Sequence, residues 1–160
     1  MQFSENSRVW VYQANRKLND SEVSAIQKQV DEFTTLWTAH NNQLKARGEV
    51  RYNRFIILIV DETQAGASGC SIDKSVRFVQ QLEQQYNMHL LDRFNLAYRE
   101  GAEVFSAPRH DFENLLKQGA IDSKTIVFNN MVKDLTELEN KWEVPFKDSW
   151  HMQLFGDLIT

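Results

Sequence analysis

The chain has 160 residues, of which 42% are apolar and 11% aromatic, enough to fill the core of one domain. Its 22 acidic and 18 basic side chains give a formal charge of −4, which disfavours nucleic acid or an anionic membrane surface as a partner. The longest apolar run, residues 55–60, is far shorter than the roughly 20 residues of a membrane-spanning helix, so we expect no membrane insertion. A single cysteine, Cys70, excludes an intramolecular disulfide, and the first residues lack the features of a signal peptide. We therefore expect a cytoplasmic protein.

The first half of the chain predicts two strands and two amphipathic helices. Residues 8–14 (RVWVYQA) mix β-branched and aromatic side chains, as strands do. Asn19 and Glu22 have the spacing of a capping box at the start of a helix. The apolar residues of this helix recur at intervals of three and four and predict a core face: Val23, Ile26, Val30, Phe33 and Trp37. Residues 54–62 (RFIILIVDE) are apolar without alternation, which predicts a central strand covered on both faces. A second helix is expected over residues 72–88.

Between the first helix and the central strand lies a cationic segment. It contains one acid, Glu49, one aromatic residue, Tyr52, and four cations: Lys45, Arg47, Arg51 and Arg54. Nucleic-acid sites interleave more aromatic residues with their cations, so we interpret this segment as a solvated connector that includes Gly48.

The second half of the chain predicts shorter elements. Residues 94–108 have the pattern of two strands around Gly101, with Pro108 ending the second. Residues 110–119 predict a short helix that ends at Gly119, and residues 124–129 predict another strand. The apolar positions Leu135, Leu138 and Trp142 indicate a further helix. Residues 148–159 fit a helix and a strand equally well.

These elements predict one α+β domain over residues 1–160. We expect a mixed β-sheet of about five strands packed with three to four helices. Residues 1–7 are expected to be flexible, because they contain no clear periodic pattern.

The loop at residues 61–75 (DETQAGASGCSIDKS) lies between a predicted strand and a predicted helix, where nucleotide-binding proteins carry their phosphate loop. Aligning Lys74 and Ser75 with the end of G-x-x-x-x-G-K-[ST] puts Ser68 and Asp73 where the two glycines belong. A carboxylate at the second of these positions adds bulk and negative charge next to a polyanion. The sequence therefore predicts that the protein is not an ATPase.

Three segments carry a resemblance that covers nearly the whole chain. They are RVWVYQANR near the start, VDE followed by ASGCSID in the middle, and DSWH near the end. On these segments the chain resembles a family of small bacterial proteins that often carry the label ABC transporter ATPase. The resemblance implies no established activity, so no catalytic residue or cofactor is transferred from it. The sequence contains neither an LSGGQ signature nor an intact Walker A motif.

The Gly66–Lys74 loop is the candidate site for a small anion. If Ser71 is the N-cap, the free amides and the positive end of the helix dipole lie beside Cys70. Such a position can attract an anion and activate a thiol. The candidate ligand-binding residues are Gly69, Cys70, Ser71, Asp73 and Lys74, and the candidate catalytic residues are Cys70, His151 and Asp61. The alternative is an ordinary strand-to-helix turn in which Cys70 only packs.

Other catalytic and metal-binding patterns fail. The four histidines form no H-x-x-x-H pair and one cysteine cannot form C-x-x-C, so we expect no metal and no cofactor. A C-x5-R phosphatase loop would need arginine at position 76, where the chain has Val76. These failures favour a non-catalytic interaction or regulatory domain. The alternative is a small-molecule (anion) binder or enzyme with its site at the Gly66–Lys74 loop.

The partner is expected to be an unidentified protein or a small anion. The C-terminal segment is rich in large apolar side chains: Trp142, Phe146, Trp150, Phe155 and Leu158. Such a segment either covers the core of its own domain or forms the interface of a homodimer.

Overall fold

Two antiparallel β-sheets packed face to face form the centre of the structure, and helices cover the outer face of each sheet. The computed structural model describes residues 2–159. The elements of the first half are β1 (Arg8–Gln13), α1 (Asp20–Leu36), β2 (Thr38–Ala39), β3 (Asn42–Gln43), β4 (Lys45–Arg51), β5 (Phe55–Asp61) and α2 (Gly69–Tyr86). Those of the second half are β6 (Asn95–Glu100), β7 (Glu103–Pro108), α3 (Arg109–Lys117), β8 (Ile126–Phe128), α4 (Leu135–Lys141), β9 (Glu143–Pro145) and α5 (Trp150–Phe155). The predicted α+β class is confirmed.

The strand β5 lies between β1 and β4 and is buried along its whole length. Its side chains alternate between two cores. Ile56, Leu58 and Val60 pack under α1 and α2, whereas Phe55, Ile57 and Ile59 face the second sheet. The prediction of a central strand covered on both faces is therefore confirmed.

The second sheet has the order β7-β6-β8-β9. Ala97 and Phe128 on its inner face share a core with β5, so the two sheets belong to one folding unit. Its outer face carries Tyr98 and Val127 into a third core that α3 and α5 cover. We expected one mixed sheet, but every pairing is antiparallel. The reason is that α2 leads from the first sheet to the second instead of returning to a parallel neighbour.

The two long helices begin with capping boxes. In α1, Asn19 Oδ1 accepts from Glu22 N at 2.8 Å and Asn19 N donates to Glu22 Oε1 at 3.0 Å, as predicted. The N-cap of α2 is Ser68, so the assignment of Ser71 to that role is wrong. Ser71 is the third residue of the helix, and its hydroxyl accepts from Ser68 N at 2.7 Å. Within residues 2–159, no helix combines the length and the apolar character that crossing a membrane requires.

Residues 45–51 of the cationic segment form the edge strand β4, so their interpretation as a connector is wrong, and Arg54 lies in the turn that follows. The small residues of β4 face α1, while the charged residues alternate with them on the other face. The chain then turns back into β5 through Tyr52 and Asn53, whose φ angles are 57° and 55°. Gly48 is needed because a Cβ atom there would overlap Val30 Cγ1 of the overlying helix.

The second half of the chain agrees with most of its predicted elements. The hairpin of β6 and β7 turns at Gly101, and α3 is followed by Gly119 with a φ of 77°. Residues 150–155 form a helix, which decides between the two alternatives for the C-terminal segment. Its large side chains Trp142, Phe146 and Phe155 are at most 2% exposed and pack within their own chain. They therefore give no support to a homodimer interface.

Residues 2–7, which we expected to be flexible, make specific contacts with the first sheet. Ser4 N donates to Asp61 Oδ2 at 3.0 Å. The ring of Phe3 lies 4.8 Å from the guanidinium carbon of Arg47. The sequence pattern could not reveal this docking, because the contacts join residues more than 40 positions apart.

We predict that Gly48→Ala destabilises the protein by about 2 kcal/mol, since the new methyl group would force α1 away from β4. Gly69→Ala is the matched control. No atom lies within 4 Å of a Cβ at Gly69, so its free energy of unfolding should stay within about 1 kcal/mol of the wild type. Urea unfolding of both variants measures the difference. Equal stabilities would contradict the close approach of α1 to β4.

Candidate functional site: a groove between the first two helices

The loop between β5 and α2 is closed by its own side chains. Glu62 Oε2 accepts from Ala67 N at 2.8 Å, and Glu62 Oε1 lies 3.7 Å from Arg8 Nε. A phosphate loop would instead direct such amides at a ligand. Here the Ala67 amide already donates its hydrogen bond to the carboxylate of Glu62, so it is not free to bind a phosphate.

The first turn of α2 holds three of the candidate ligand-binding residues, Gly69, Cys70 and Ser71. Within residues 2–159, the amides of Gly69 and Cys70 have no hydrogen-bond acceptor. The side chain of Cys70 is exposed. Asp73 and Lys74 are also exposed, whereas Ser71 is buried and serves the capping box. The helix end thus offers two free amides, with a carboxylate in the next turn.

Asp61 ends β5, but its carboxylate is fully engaged. Oδ1 accepts from Thr63 N at 3.0 Å and from Thr63 Oγ1 at 2.7 Å. Oδ2 accepts from Ser4 N at 3.0 Å and lies 3.4 Å from Lys45 Nζ. The bond from the Ser4 amide, followed by those from Thr63, holds the pKa of Asp61 below its usual value. Asp61 is only 3% exposed, so its role is to attach the N-terminal segment and not to contact a ligand.

His151 lies in the third core, beyond both sheets from Cys70. Its ring packs 6.0 Å from that of Phe112 and stacks on Trp150 at 3.8 Å. Nδ1 lies 2.7 Å from Ser149 Oγ, whereas Nε2 has no partner within residues 2–159. Burial lowers the pKa of His151 to about 4, so the imidazole is neutral at pH 7. The three candidate catalytic residues are therefore not brought together.

No side-chain cluster suggests a metal centre in the described part of the chain. Among residues 2–159, no group of three or more His, Cys, Asp and Glu side chains is placed to hold an ion.

The best-formed depressions of the described surface lie side by side along α1. The first lies between α1 and α2 and is lined by Gln29, Glu32, Phe33, Leu36, Trp37, Lys74 and Phe78. The second continues over α1 and shares Glu32 and Leu36 with the first. Both are shallow. The first has a largely apolar lining, whereas four of the five residues that line the second are polar or charged, and Leu36 borders both. We call the two depressions together the groove.

The floor of the groove is a rigid aromatic cluster. Phe33 and Phe78 stack with ring centroids 4.4 Å apart and planes 6° from parallel. Trp37 packs beside Phe33 at 5.1 Å, and its Nε1 donates to Ser71 O at 2.8 Å. This bond fixes the end of α1 to the start of α2. Above the floor, Leu36 is 78% exposed.

Charged side chains surround the apolar floor. Lys74 lies on the α2 side and Lys28 on the α1 side, and Glu32 lies between the two depressions. None of these three forms an ion pair within residues 2–159. The groove thus combines an apolar centre with charges that remain available to a partner.

The sequence pattern predicted only part of this groove. Phe33 was expected in the core but is half-buried at the groove. Leu36 is out of phase with the core positions of α1, and an apolar residue out of phase was the signal that could have located the surface. Lys74 was expected to face an anion, and it lines the groove instead.

We predict that acid destabilises the protein through His151. The unfolded chain binds this proton with a pKa near 6.5 and the folded chain near 4, so stability is complete above pH 6.5 and falls as the pH falls to 4. The expected loss is roughly 3 kcal/mol, measured by urea unfolding at several pH values. His151→Gln should lose this dependence. The exposed His89 provides the control, since His89→Gln should retain it. An unchanged dependence in His151→Gln would refute the assignment.

Comparisons of the chain with protein-family models, with curated proteins and with solved structures find no match. Membership of the family that the three sequence segments resemble therefore stays a proposal.

Proposed function

We propose that this protein is a non-catalytic interaction domain that binds a partner protein in the groove between α1 and α2. The observation that supports the proposal most directly is the exposure of Leu36, 78%, above an ordered aromatic floor. A large apolar side chain in water is unfavourable, and a contiguous apolar surface with a polar rim is typical of a docking site.

The chemistry of the groove indicates the kind of segment that fits it. An apolar side chain of the partner would contact Leu36 and the Phe33–Phe78 pair, where burial of carbon surface supplies the affinity. A carboxylate next to it would contact Lys74, which has no acidic partner within residues 2–159. Charges at such a rim determine orientation and association rate more than affinity.

The groove also has features that disfavour catalysis there. Among the residues that line it, none is a nucleophile paired with a base, and its polar lining residues are Gln29, Thr35 and single charges. The shallow form would leave a small substrate largely in water, whereas enzyme sites enclose most of the substrate's surface.

Fragment binding tests the groove. We expect indole to shift the backbone amide resonances of Leu36 and Phe78 saturably, because its ring can pack on the aromatic floor. Leu36→Glu should weaken this binding by about 10-fold, since the substitution removes apolar contact area. Met131→Glu is the matched control, because Met131 is 69% exposed and does not line the groove. Shifts that spread evenly over the surface, or that Leu36→Glu leaves unchanged, would rule out the groove.

A second candidate function is binding of a small anion at the start of α2. It is favoured by the free amides of Gly69 and Cys70, which lie at the positive end of the helix dipole. Asp73, the fifth residue of α2, disfavours anion binding because its negative charge lies close to these amides. An enzyme that used Cys70 as its nucleophile would need a base, and the candidate base His151 packs against Phe112 in the third core instead.

We predict that the protein does not bind ATP with magnesium. The loop places the carboxylate of Glu62 on the Ala67 amide, and Lys74 lies in the second turn of α2, where it lines the groove. Isothermal titration calorimetry with ATP and magnesium should give no saturable heat. A parallel titration with sulfate distinguishes a simple anion site from a nucleotide site. ATP binding that Lys74→Ala abolishes would overturn the prediction.

A further inference from the structure

The strand β7 is the open edge of the second sheet. The hairpin of β6 and β7 pairs Glu100 with Glu103 around a two-residue turn. Hydrogen-bonded and non-hydrogen-bonded residue pairs then alternate along the two strands. Val104 and Ser106 belong to the non-hydrogen-bonded pairs, so their backbone amides and carbonyls point away from β6. Within residues 2–159, no backbone group bonds to the amides of Val104 and Ser106 or to the Ser106 carbonyl on this side.

Parts of the other long edges are bonded to side chains or loops. Along β4, the side chain of Gln27 donates to Gly48 O at 3.0 Å and accepts from Val50 N at 2.9 Å. Along β1, Val9 N donates to Lys133 O at 3.0 Å. The edge strand β9 has only three residues and ends in a proline, so it presents few free backbone N–H and C=O groups. With six residues, β7 is the longer of the two edge strands of the second sheet.

One side chain contacts the open edge, and it is a buried cation. Arg54 Nε donates to Val104 O at 3.1 Å, and Arg54 Nη1 donates to Ser106 Oγ at 2.7 Å. Arg54 is 9% exposed, yet no carboxylate lies within 4 Å of it among residues 2–159. The neighbouring arginines are paired, Arg51 with Glu49 and Arg99 with Glu143.

A buried guanidinium with only neutral acceptors is costly. Burial lowers the pKa of Arg54, which reflects the unfavourable transfer of its charge from water. A neutral side chain could make the same two bonds at lower cost. A carboxylate next to the guanidinium would offset this cost.

We propose that β7 receives an extended peptide strand from an acidic partner, with a carboxylate of that strand pairing with Arg54. The backbone of the strand would bond to the Val104 amide and to both backbone groups of Ser106. The Val104 carbonyl can accept a second bond beside that of Arg54. The carboxylate would complete the ion pair that the chain lacks, and a bidentate pair with a guanidinium is strong and directional.

Charge also argues against a second copy of the chain as the occupant. A two-fold pairing of β7 with itself would place Val104 opposite the partner's Ser106. The Arg54 side chains that contact these residues would then face each other across the interface. Two like charges in a partly buried interface repel strongly, whereas a carboxylate at the same place attracts.

Amide resonances of the wild-type protein test the proposal with a synthetic peptide, acetyl-Thr-Val-Thr-Glu-Thr-Val-Thr-amide. The peptide should shift the Val104 and Ser106 amides saturably. Replacement of its Glu by Gln should weaken binding by about 10-fold, because the charged pair is lost. N-methylation at Glu and the valines removes the amides that face β7 and should abolish binding. N-methylation at the two threonines beside Glu is the matched control and should leave binding intact.

Variants of the protein provide a second arm. Arg54→Gln should reduce the preference for the Glu peptide over the Gln peptide to about 2-fold or less, provided that its spectrum retains the native dispersion. No saturable shift up to the solubility limit of the peptide would overturn the proposal. So would equal binding of the Glu and Gln peptides to the wild type. Concentration-dependent dimerisation that broadens the Val104 and Ser106 amides would show that a second copy occupies the edge, which also overturns it.

Discussion

The structure depends on the complete burial of β5. Residues 55–60 are 0% exposed, so both faces of this strand must be covered by apolar surface. One face is covered by α1 and α2, and the other by the second sheet. This requirement explains the layered arrangement, because a strand that is apolar on both sides is stable only between two layers. The third core then forms where α3 and α5 cover the outer face of the second sheet.

The buried polar groups mark where these layers are joined. Asp61 attaches residues 2–7 to the end of β5, and Trp37 links the end of α1 to the start of α2 through Ser71. Arg54 connects β5 to β7 in the second sheet. Each of these bonds joins two segments that are distant in the chain. They therefore fix the relative position of the joined segments, which apolar packing alone would specify less closely.

The two surfaces proposed for binding lie on opposite layers and use different forces. The groove offers apolar area over a fixed aromatic floor, whereas β7 offers backbone hydrogen bonds and one uncompensated charge. Area in the groove should give affinity with little sequence selectivity. The edge should select for backbone conformation and for a carboxylate. Variants at Leu36 and at Arg54 can therefore be interpreted independently, since Leu36 borders the groove on α1 and Arg54 contacts β7.

The sequence determined the elements whose signals are local. The uninterrupted apolar run predicted β5 as a buried strand, and the Asn19 and Glu22 pair predicted the start of α1. Gly101 and Gly119 predicted a turn and a helix end, because backbone of positive φ favours glycine. The failure of the phosphate loop also followed from residue identities alone. The strand β4 had a local signal as well, its charged residues alternating with small ones, but that signal was taken for a connector.

Tertiary structure decided everything that joins distant segments. It moved the N-cap of α2 from Ser71 to Ser68, because both serines have suitable side chains and only the helix start selects one. It separated His151 from Cys70 by two sheets, which no spacing along the chain could show. The tertiary structure also exposes the apolar Leu36 and buries the charged Arg54, the opposite of what the polarity of each side chain would suggest. Burial depends on which layer covers a side chain, and long-range packing of both sheets sets those layers.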